Sequence, residues 1–133
     1  MVADWQAALV TRLQTALAGQ VGARVSWFDR QRGDALPAVT LTLVSPGRDY
    51  HHGGADGLDG PRVQLDCWAG SASAALALRN AALAEMEAPA TVGGVRFTAG
   101  QLELEQAVGE DKQDGGQRLF RFLLDMQFYV EEI

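Results

Sequence analysis

The sequence predicts an α+β domain in which two helices pack on one face of a mainly antiparallel β-sheet. Two observations lead to this prediction. Two segments repeat apolar residues at the spacing of an amphipathic helix, and several others alternate apolar and polar residues as half-buried strands do. Their order along the chain is α-β-β-β-α-β-β-β. The 133 residues contain no repeat, low-complexity tract or shift in composition, so we expect a single domain over residues 1–133.

The first predicted helix covers residues 4–18. Asp4 is expected to cap its N-terminus, and Gly19 is expected to follow its C-terminus. Arg12 lies off the apolar stripe, whose members recur every four positions and are Trp5, Leu9, Leu13 and Leu17. A short strand is predicted around Arg24–Phe28, before a polar connector.

Two alternating segments, residues 38–44 and 62–69, are predicted as the next strands. Between them, from Ser45 to about Gly60, glycine and proline are too frequent for a regular element, which indicates a long loop. Loops of this length in compact domains are usually functional, or become ordered on a partner. This segment is therefore the feature of the chain that most suggests a function.

The second predicted helix begins after Ser71 or Ser73, either of which can cap it, and Pro89 ends it. Its buried stripe is expected to consist of Ala75, Leu78, Ala82, Leu83 and Met86. Residues 92–95, with the sequence Val-Gly-Gly-Val, predict a tight hairpin. Beyond it the apolar residues change at Gly100 from odd positions (Val95, Phe97, Ala99) to even positions (Leu102, Leu104). This change predicts a β-bulge or a bend.

Two long strands, joined by a solvated loop at residues 109–116, are predicted to end the chain. The last strand has the clearest alternation in the sequence, because every even position from 120 to 130 is apolar. We expect that face to be buried. The mixed opposite face is expected to meet solvent or another subunit, and it comprises Leu119, Arg121, Leu123, Asp125, Gln127 and Tyr129.

The charge balance and the cysteine count exclude several classes of function. Seventeen acids against eleven bases give a net charge of −6, which argues against a phosphate backbone as the main partner. The single cysteine, Cys67, excludes an internal disulfide and a multi-cysteine zinc site. We find neither a signal-peptide pattern at the N-terminus nor a run of roughly 18 apolar residues. A soluble, intracellular domain without a membrane partner is therefore expected.

The residues with potential chemistry do not form a recognised catalytic motif. His51 and His52, near several aspartates, are the only cluster of metal-ligand residue types, but adjacent histidines in an extended backbone point to opposite sides. Cys67 lies on the inward face of its strand, which favours a role in the core. Glu103 and Glu105 share a strand face, where an exposed acidic surface is commoner than acid–base chemistry. We predict no catalytic residue, no metal and no cofactor.

Ten of the eleven basic residues are arginine, a residue suited to bidentate contacts between subunits. Four of them are predicted at loop edges or on outward strand faces: Arg48, Arg62, Arg118 and Arg121. These side chains are interpreted either as parts of a subunit contact or as solvated surface charges, and the sequence leaves both readings open.

Several segments together carry a resemblance to a known family. They are the helix Trp5–Leu17, the segment Ala35-Leu-Pro-Ala-Val-Thr-Leu41, the run Arg48-Asp-Tyr50, the pair Gly57-Leu58, the strand Arg62–Ala69 with the alanine-rich helix after it, and the strand Arg118–Tyr129. In this layout the chain resembles the tail-completion, or tail-terminator, proteins of long-tailed phages and gene transfer agents. The resemblance covers nearly the whole chain.

The resemblance implies a structural protein without enzymatic activity that forms a homo-hexameric ring at the head-proximal end of the tail tube. Such a ring stops tube polymerisation and meets the head connector or stopper protein, and DNA passes through its lumen without specific binding. It also implies a place in the virion or phage-like particle, after assembly in the bacterial host cytoplasm. The resemblance transfers no contact residues. Our own prediction for them is Arg48, Tyr50, His51, His52, Arg62, Glu103, Glu105, Arg118 and Arg121.

Three other functions remain open at this point. A head–tail adaptor or stopper, or a minor tail protein, has a similar layout. A small ligand- or metal-binding α+β domain would use the loop His51–Asp59. A dimeric interaction module is the third possibility. The sequence alone decides neither the stoichiometry nor between a phage and a gene transfer agent.

Overall fold

The computed structural model describes residues 4–28, 35–51, 54–114 and 117–132. Its helices are α1 (Trp5–Ala16), α2 (Ala18–Val21) and α3 (Ala72–Glu87). Its strands are β1 (Val25–Trp27), β2 (Ala38–Ser45), β3 (Arg48–His51), β4 (Gly54–Asp59), β5 (Arg62–Ala69), β6 (Ala90–Val92), β7 (Val95–Phe97), β8 (Gln101–Asp114), β9 (Gln117–Gln127) and β10 (Val130–Glu132).

The strands form two five-stranded sheets. Sheet 1 has the order β1-β2-β5-β9-β8, and sheet 2 has the order β3-β4-β10-β7-β6. Only β1 and β2 pair in parallel among the described strands, and the other pairs are antiparallel. The predicted α+β class and its mainly antiparallel pairing are confirmed, although the strands divide between two sheets instead of forming one.

The first helix buries the apolar stripe that its spacing predicts, including Leu9 and Leu13. Its start at Trp5, after Asp4, is as predicted, whereas its C-terminal end and both predicted caps are wrong. Asp4 has a left-handed backbone (φ 55°) and makes no capping hydrogen bond with its side chain. Gly19 continues into α2 because the chain turns only at Gly22, where φ is 58°.

The helix α3 corresponds to the second predicted helix, and it begins and ends where the sequence predicts. The hydroxyl of Ser71 accepts a hydrogen bond from the N–H of Ala74 at 3.2 Å, so Ser71 is the cap. The helix ends at Glu87, two residues before Pro89. Of the predicted stripe, Leu83 is only half-buried, and the buried members are Ala75, Leu78, Ala82 and Met86. No helix in the described ranges is both long enough and apolar enough to cross a membrane.

Arg12 connects α1 to the end of α3, although the periodicity of α1 places it off the apolar stripe. Its side chain is 3% exposed, and its Nε donates to the carboxylate of Glu85 at 2.7 Å. Its Nη2 donates to the carbonyl oxygens of Glu85 and, at 2.7 Å, Ala88. The guanidinium also lies over the ring of Phe97, 5.2 Å from its centroid. The N–H of Ala88, the residue that follows α3, also donates to the Glu85 carbonyl at 3.2 Å. Arg12 therefore adds a second donor to that carbonyl and supplies one to the carbonyl of Ala88 at the end of the helix.

The core lies between the helices and one face of sheet 1. Alternate residues of β5 are fully buried on that face, and they are Val63, Leu65, Cys67 and Ala69. The strand register continues this layer across the sheet, because Leu65 is opposite Leu41 on one side and Leu124 on the other. Antiparallel pairing with period two therefore places one face of three strands in the core.

At Gly100, where the sequence predicts a β-bulge or a bend, the chain crosses from sheet 2 to sheet 1. Strand β7 belongs to sheet 2 and β8 to sheet 1, and the N–H of Gly100 donates to the carbonyl of Met86 at 2.7 Å between them. A register shift also occurs just beyond, between Leu102 and Leu104. A second crossing separates β9 from β10, yet Phe128 and Val130 stay buried as the even-position pattern predicts.

Two segments that the sequence predicts as loops contain strands, and this prediction was wrong. Within Ser45–Gly60 the chain forms β3 and β4, and β4 pairs with β10 through Asp59 and Val130. Within 109–116, β8 extends to Asp114 and β9 begins at Gln117. Glycine-rich and charged segments favour turns, and for this reason the sequence predicts loops there. Strand pairing, however, uses main-chain N–H and C=O groups, which every residue except proline supplies in full, so such segments also form hairpins.

Candidate functional site

Sheet 1 has a second face, turned away from the helices, which we call the outer face. The pairing of β5 with β9 sets Asp66 opposite Leu123 and Trp68 opposite Arg121 on it. At the edge strand, Leu104 is 53% exposed, whereas Trp68, Arg121 and Leu123 are half-buried. The outer face thus mixes aromatic, aliphatic and charged side chains and keeps part of them in contact with solvent.

One group of residues on the outer face, which we call the Arg121–Trp68 platform, consists of Thr40, Asp66, Trp68 and Arg121. The indole Nε1 of Trp68 donates to the hydroxyl of Thr40 at 2.9 Å, which fixes the plane of the ring. The guanidinium carbon of Arg121 lies 5.0 Å from the centroid of the Trp68 rings, a cation–π distance. Its Nε is 4.0 Å from Oδ1 of Asp66.

Asp66 and Arg121 approach each other without forming a hydrogen bond. Asp66 is buried, and Nε2 of Gln64 donates to its Oδ2 at 3.1 Å. Burial raises the pKa of the Asp66 carboxyl, although Gln64 and the charge of Arg121 act in the opposite direction. In the part of the chain that the structure describes, Oδ1 of Asp66 and Nε of Arg121 are buried atoms without hydrogen-bond partners.

A second charged pair lies further along the same face. The Nε of Arg62 donates to Oδ1 of the buried Asp125 at 2.8 Å. This hydrogen bond raises the pKa of the Arg62 guanidinium. The outer face therefore carries two nearly buried carboxylates, each beside an arginine that remains partly exposed.

The acidic residues of β8 do not form the shared exposed surface that their spacing suggests. Glu105 takes part in an ion pair with Arg79 of α3, with its Oε1 2.7 Å from Nη2 of Arg79 and its Oε2 bonded to Nε. This hydrogen bond lowers the pKa of Glu105. Glu103 lies at the register shift between Leu102 and Leu104. Glu105 is therefore engaged within the chain, on the helix side of sheet 1.

The structure brings together only some of the predicted contact residues. Arg62 and Arg121 lie on the outer face, while Arg118 is exposed on β9 with its guanidinium 5.2 Å from the Phe120 ring centroid. Arg48, Tyr50 and His51 belong to β3, where only the main chain is described, and His52 lies outside the described residues.

Sequence reasoning did not identify Thr40 and Trp68 as site residues. Trp68 alternates with the core residues of β5, and this indicates that it faces outward. The pattern of one strand contains no information on register, so the stacking of Arg121 on Trp68 follows only from the pairing of β5 with β9.

Cys67 has the properties of a core residue. It lies on the buried face of β5, and burial raises the pKa of its thiol from 9.0 to about 12. In the ranges that the structure describes, no three histidine, cysteine, aspartate or glutamate residues are grouped so that they could hold a metal ion. Cys67 thus lacks the exposed, electropositive setting that a nucleophilic cysteine needs.

We expect the folded protein to resist alkylation of Cys67 by iodoacetamide at mildly alkaline pH, and to react fully in denaturant. The thiolate forms above pH 9 in the unfolded chain but only near pH 12 in the folded one. The contribution of this group to the free energy of unfolding is therefore complete below pH 9 and is lost as the pH rises towards 12. Mass spectrometry of the labelled protein measures the reaction, and rapid labelling of native protein would contradict the buried position.

A comparison with protein-family profiles identifies one family, and a comparison with solved structures finds a similar fold. The sequence profile of tail completion protein gp17 matches residues 7–131. A search of curated proteins with this sequence finds no significant match. Among solved structures, the chain is similar to one described as "Virion of native gene transfer agent (GTA) particle", with a TM-score of 0.61 and 20% sequence identity. The similarity covers 95% of this chain and 93% of that chain, so it extends over both whole folds.

The family profile spans nearly the whole chain, and the similar fold comes from a virion. The chain therefore belongs to the tail completion protein gp17 family and is a structural tail protein of the virion, not an enzyme.

Proposed function

We propose that the protein forms a hexameric ring at the head-proximal end of the tail tube, where it ends tube polymerisation and joins the tail to the head connector. The observation that carries this proposal is the match of the tail completion profile to residues 7–131. The fold similarity to a chain of a gene transfer agent virion, over 95% of this chain, supports it. The hexameric state and the terminator role come from the resemblance to tail-terminator proteins.

The surfaces available on sheet 1 suit a ring. Strand β8 is the last strand of the sheet and pairs with β9 on one side, so its other edge has main-chain groups without a strand partner among the described residues. Free edges of this kind readily pair with another chain. When one surface of a subunit binds a different surface of the next copy, the copies form a closed ring if the rotation between neighbours divides a full turn. We propose that the edge of β8 and the outer face make the ring contacts, with Arg62, Arg118 and Arg121 as participants.

The proposed partners on the ring axis are the tail tube protein on one side and the head connector or stopper on the other. DNA crosses such a ring during ejection, so strong binding of its phosphates would slow its passage. The net charge of −6 is compatible with this requirement, because phosphate binding needs a surplus of basic residues.

Deletion of the gene in its native phage or gene transfer agent tests the proposal. We expect negative-stain microscopy to show overlong or irregular tails, detached from DNA-filled heads, and normal particles when the gene is supplied on a plasmid. Tails of normal length beside heads that have lost their DNA would instead assign the protein to the adaptor or stopper layer. Intact, infectious particles would overturn the proposal.

A further inference from the structure

We propose that neighbouring copies in the ring are joined by an acidic hairpin arm of one copy that docks on the Arg121–Trp68 platform of the next. The arm is the part of the β8–β9 hairpin that extends past the end of β5. This inference rests on the proposed function, since it names the contact that would close the ring.

The arm leaves the body of sheet 1 at the end of β5. Ala69 is the last residue of β5 and pairs with Phe120 of β9. Beyond this point β8 and β9 pair only with each other, through Asp111 with Leu119 and Asp114 with Gln117. From Phe120 to Gln117 the arm extends by roughly 10 Å. A two-stranded hairpin is marginally stable in water by itself, so contacts with a partner would stabilise it.

The arm has a surplus of acidic residues, and the platform presents a partly exposed arginine whose ion pair with the buried Asp66 is long, at 4.0 Å. Residues 110–114 of β8 include Glu110, Asp111 and Asp114 against the single Lys112. On the platform, the Arg121 guanidinium lies over Trp68, and its side chain is 32% exposed. A planar guanidinium that is already held on an aromatic ring loses little freedom when it binds a carboxylate in a bidentate manner. Tryptophan and arginine are also the residues that most often dominate the energy of protein interfaces.

The tip of the arm cannot reach the platform of its own chain. Arg121 pairs with Val108 at the base of the arm, whereas the tip pair is Asp114 and Gln117. Four residue steps along β9 separate Arg121 from Gln117, which is roughly 13 Å of extended chain. Folding the tip back would break the pairing of β8 with β9. At this distance along the strand, Asp114 can meet such a platform only on another molecule, and a contact of this head-to-tail kind continues from copy to copy until it closes.

Charge reversal tests the contact in assembled particles. The platform variant is Arg121→Glu, and the arm variant is Asp114→Lys, because Asp114 lies at the tip whereas Asp111 pairs with Leu119, two residues from Arg121 of the same chain. Each variant alone should lower the yield of normal-length tails in the deletion strain at least about tenfold, because like charges then meet at every junction. Co-expression of both variants should restore most of the yield, since alternating copies again pair opposite charges. Arg96→Glu is the matched control, because Arg96 is exposed on sheet 2, and it should leave the yield unchanged.

A disulfide experiment covers the case in which Arg121→Glu fails to fold beside Asp66. In a chain carrying both Asp114→Cys and Arg121→Cys, the two positions are too far apart to form a disulfide with each other. Oxidation of assembled particles should therefore give a ladder of covalently linked subunits, and either single substitution should not.

The outcomes separate this inference from the proposed function. Normal yields from both charge variants, or absence of the ladder, in a strain whose deletion produces overlong tails would overturn the contact and leave the terminator role intact. Poor yields from two folded variants that co-expression does not restore would also overturn it. A deletion strain with intact particles would overturn the proposed function itself.

Discussion

Replacing Arg12 by alanine is expected to lower the free energy of unfolding by about 3–5 kcal/mol, the usual cost of removing one partner of a buried ion pair. Arg12 is almost fully buried, and its partner Glu85 is 28% exposed. The substitution would leave that carboxylate without its cation, the carbonyl of Ala88 without the Arg12 donor, and the carbonyl of Glu85 with only the N–H of Ala88. It would also empty the space beside the Phe97 ring.

The chain contains a matched control for this prediction. Arg96 and Glu131 form a second arginine–glutamate pair, whose side chains are 55% and 40% exposed. Arg96→Ala should change the free energy of unfolding by no more than about 1 kcal/mol, because water screens the exposed pair. Urea unfolding followed by circular dichroism measures both variants under the same conditions. Equal midpoints for the two would mean that Arg12 does not hold α1 to the end of α3.

Gly47→Ala is the second substitution with a large expected effect, about 3 kcal/mol or more of lost stability. Gly47 has φ 60°, and a Cβ at this position would lie 1.9 Å from the carbonyl oxygen of Gly60. The N–H of Gly60 donates to the carbonyl of Gly47 at 2.8 Å, so two main-chain segments touch at the base of the β3–β4 hairpin. Backbone cannot move aside as a flexible side chain can, and only glycine fits.

Gly93→Ala provides the comparison for Gly47→Ala. Gly93 has nearly the same backbone, with φ 56°, but nothing lies within 4 Å of an added Cβ. Gly93→Ala should lower the free energy of unfolding by about 1 kcal/mol, because the only penalty is the strain of a left-handed backbone at alanine. The difference between the two urea midpoints therefore isolates the clash with Gly60. If both variants lose the same stability, the close approach of Gly47 to Gly60 is contradicted.

The sequence predicts local structure well where burial imposes a period. Of the even positions from 120 to 130, Leu124, Met126, Phe128 and Val130 are buried, whereas Phe120 and Phe122 are half-buried. In the stripe of α3, Leu83 is half-buried and the other members are buried. Ser71 caps α3 as its position suggests, because a cap depends on neighbours within one turn. Asp4 shows the limit of such signals, since a residue type that favours caps does not fix the backbone that a cap requires.

The candidate site is less predictable because it depends on register. The alternation in β5 and β9 establishes that Trp68 and Arg121 each face away from the core. Whether they touch depends on which residue of one strand lies opposite which residue of the other. A register shift of two residues would preserve both patterns and separate the pair.

Arg12 shows the same limit for a charged residue. On a helical wheel it lies off the apolar stripe, and isolated arginines are usually exposed. Its burial depends on the position of the C-terminal end of α3. There Glu85, 73 residues away in sequence, and two main-chain carbonyls accept hydrogen bonds from the Arg12 guanidinium.

The amino-acid sequence by itself determined the α+β class, the buried faces of the strands and α3, and the family layout, because these depend on short-range periodicity and composition. Only the tertiary structure decided the division into two sheets, the strands within the glycine-rich and acidic segments, and the arrangement of Arg121 over Trp68. These features depend on pairing between residues distant in the chain. Main-chain hydrogen bonds form such pairs with little regard to side-chain identity, so the sequence pattern of a single segment does not specify them.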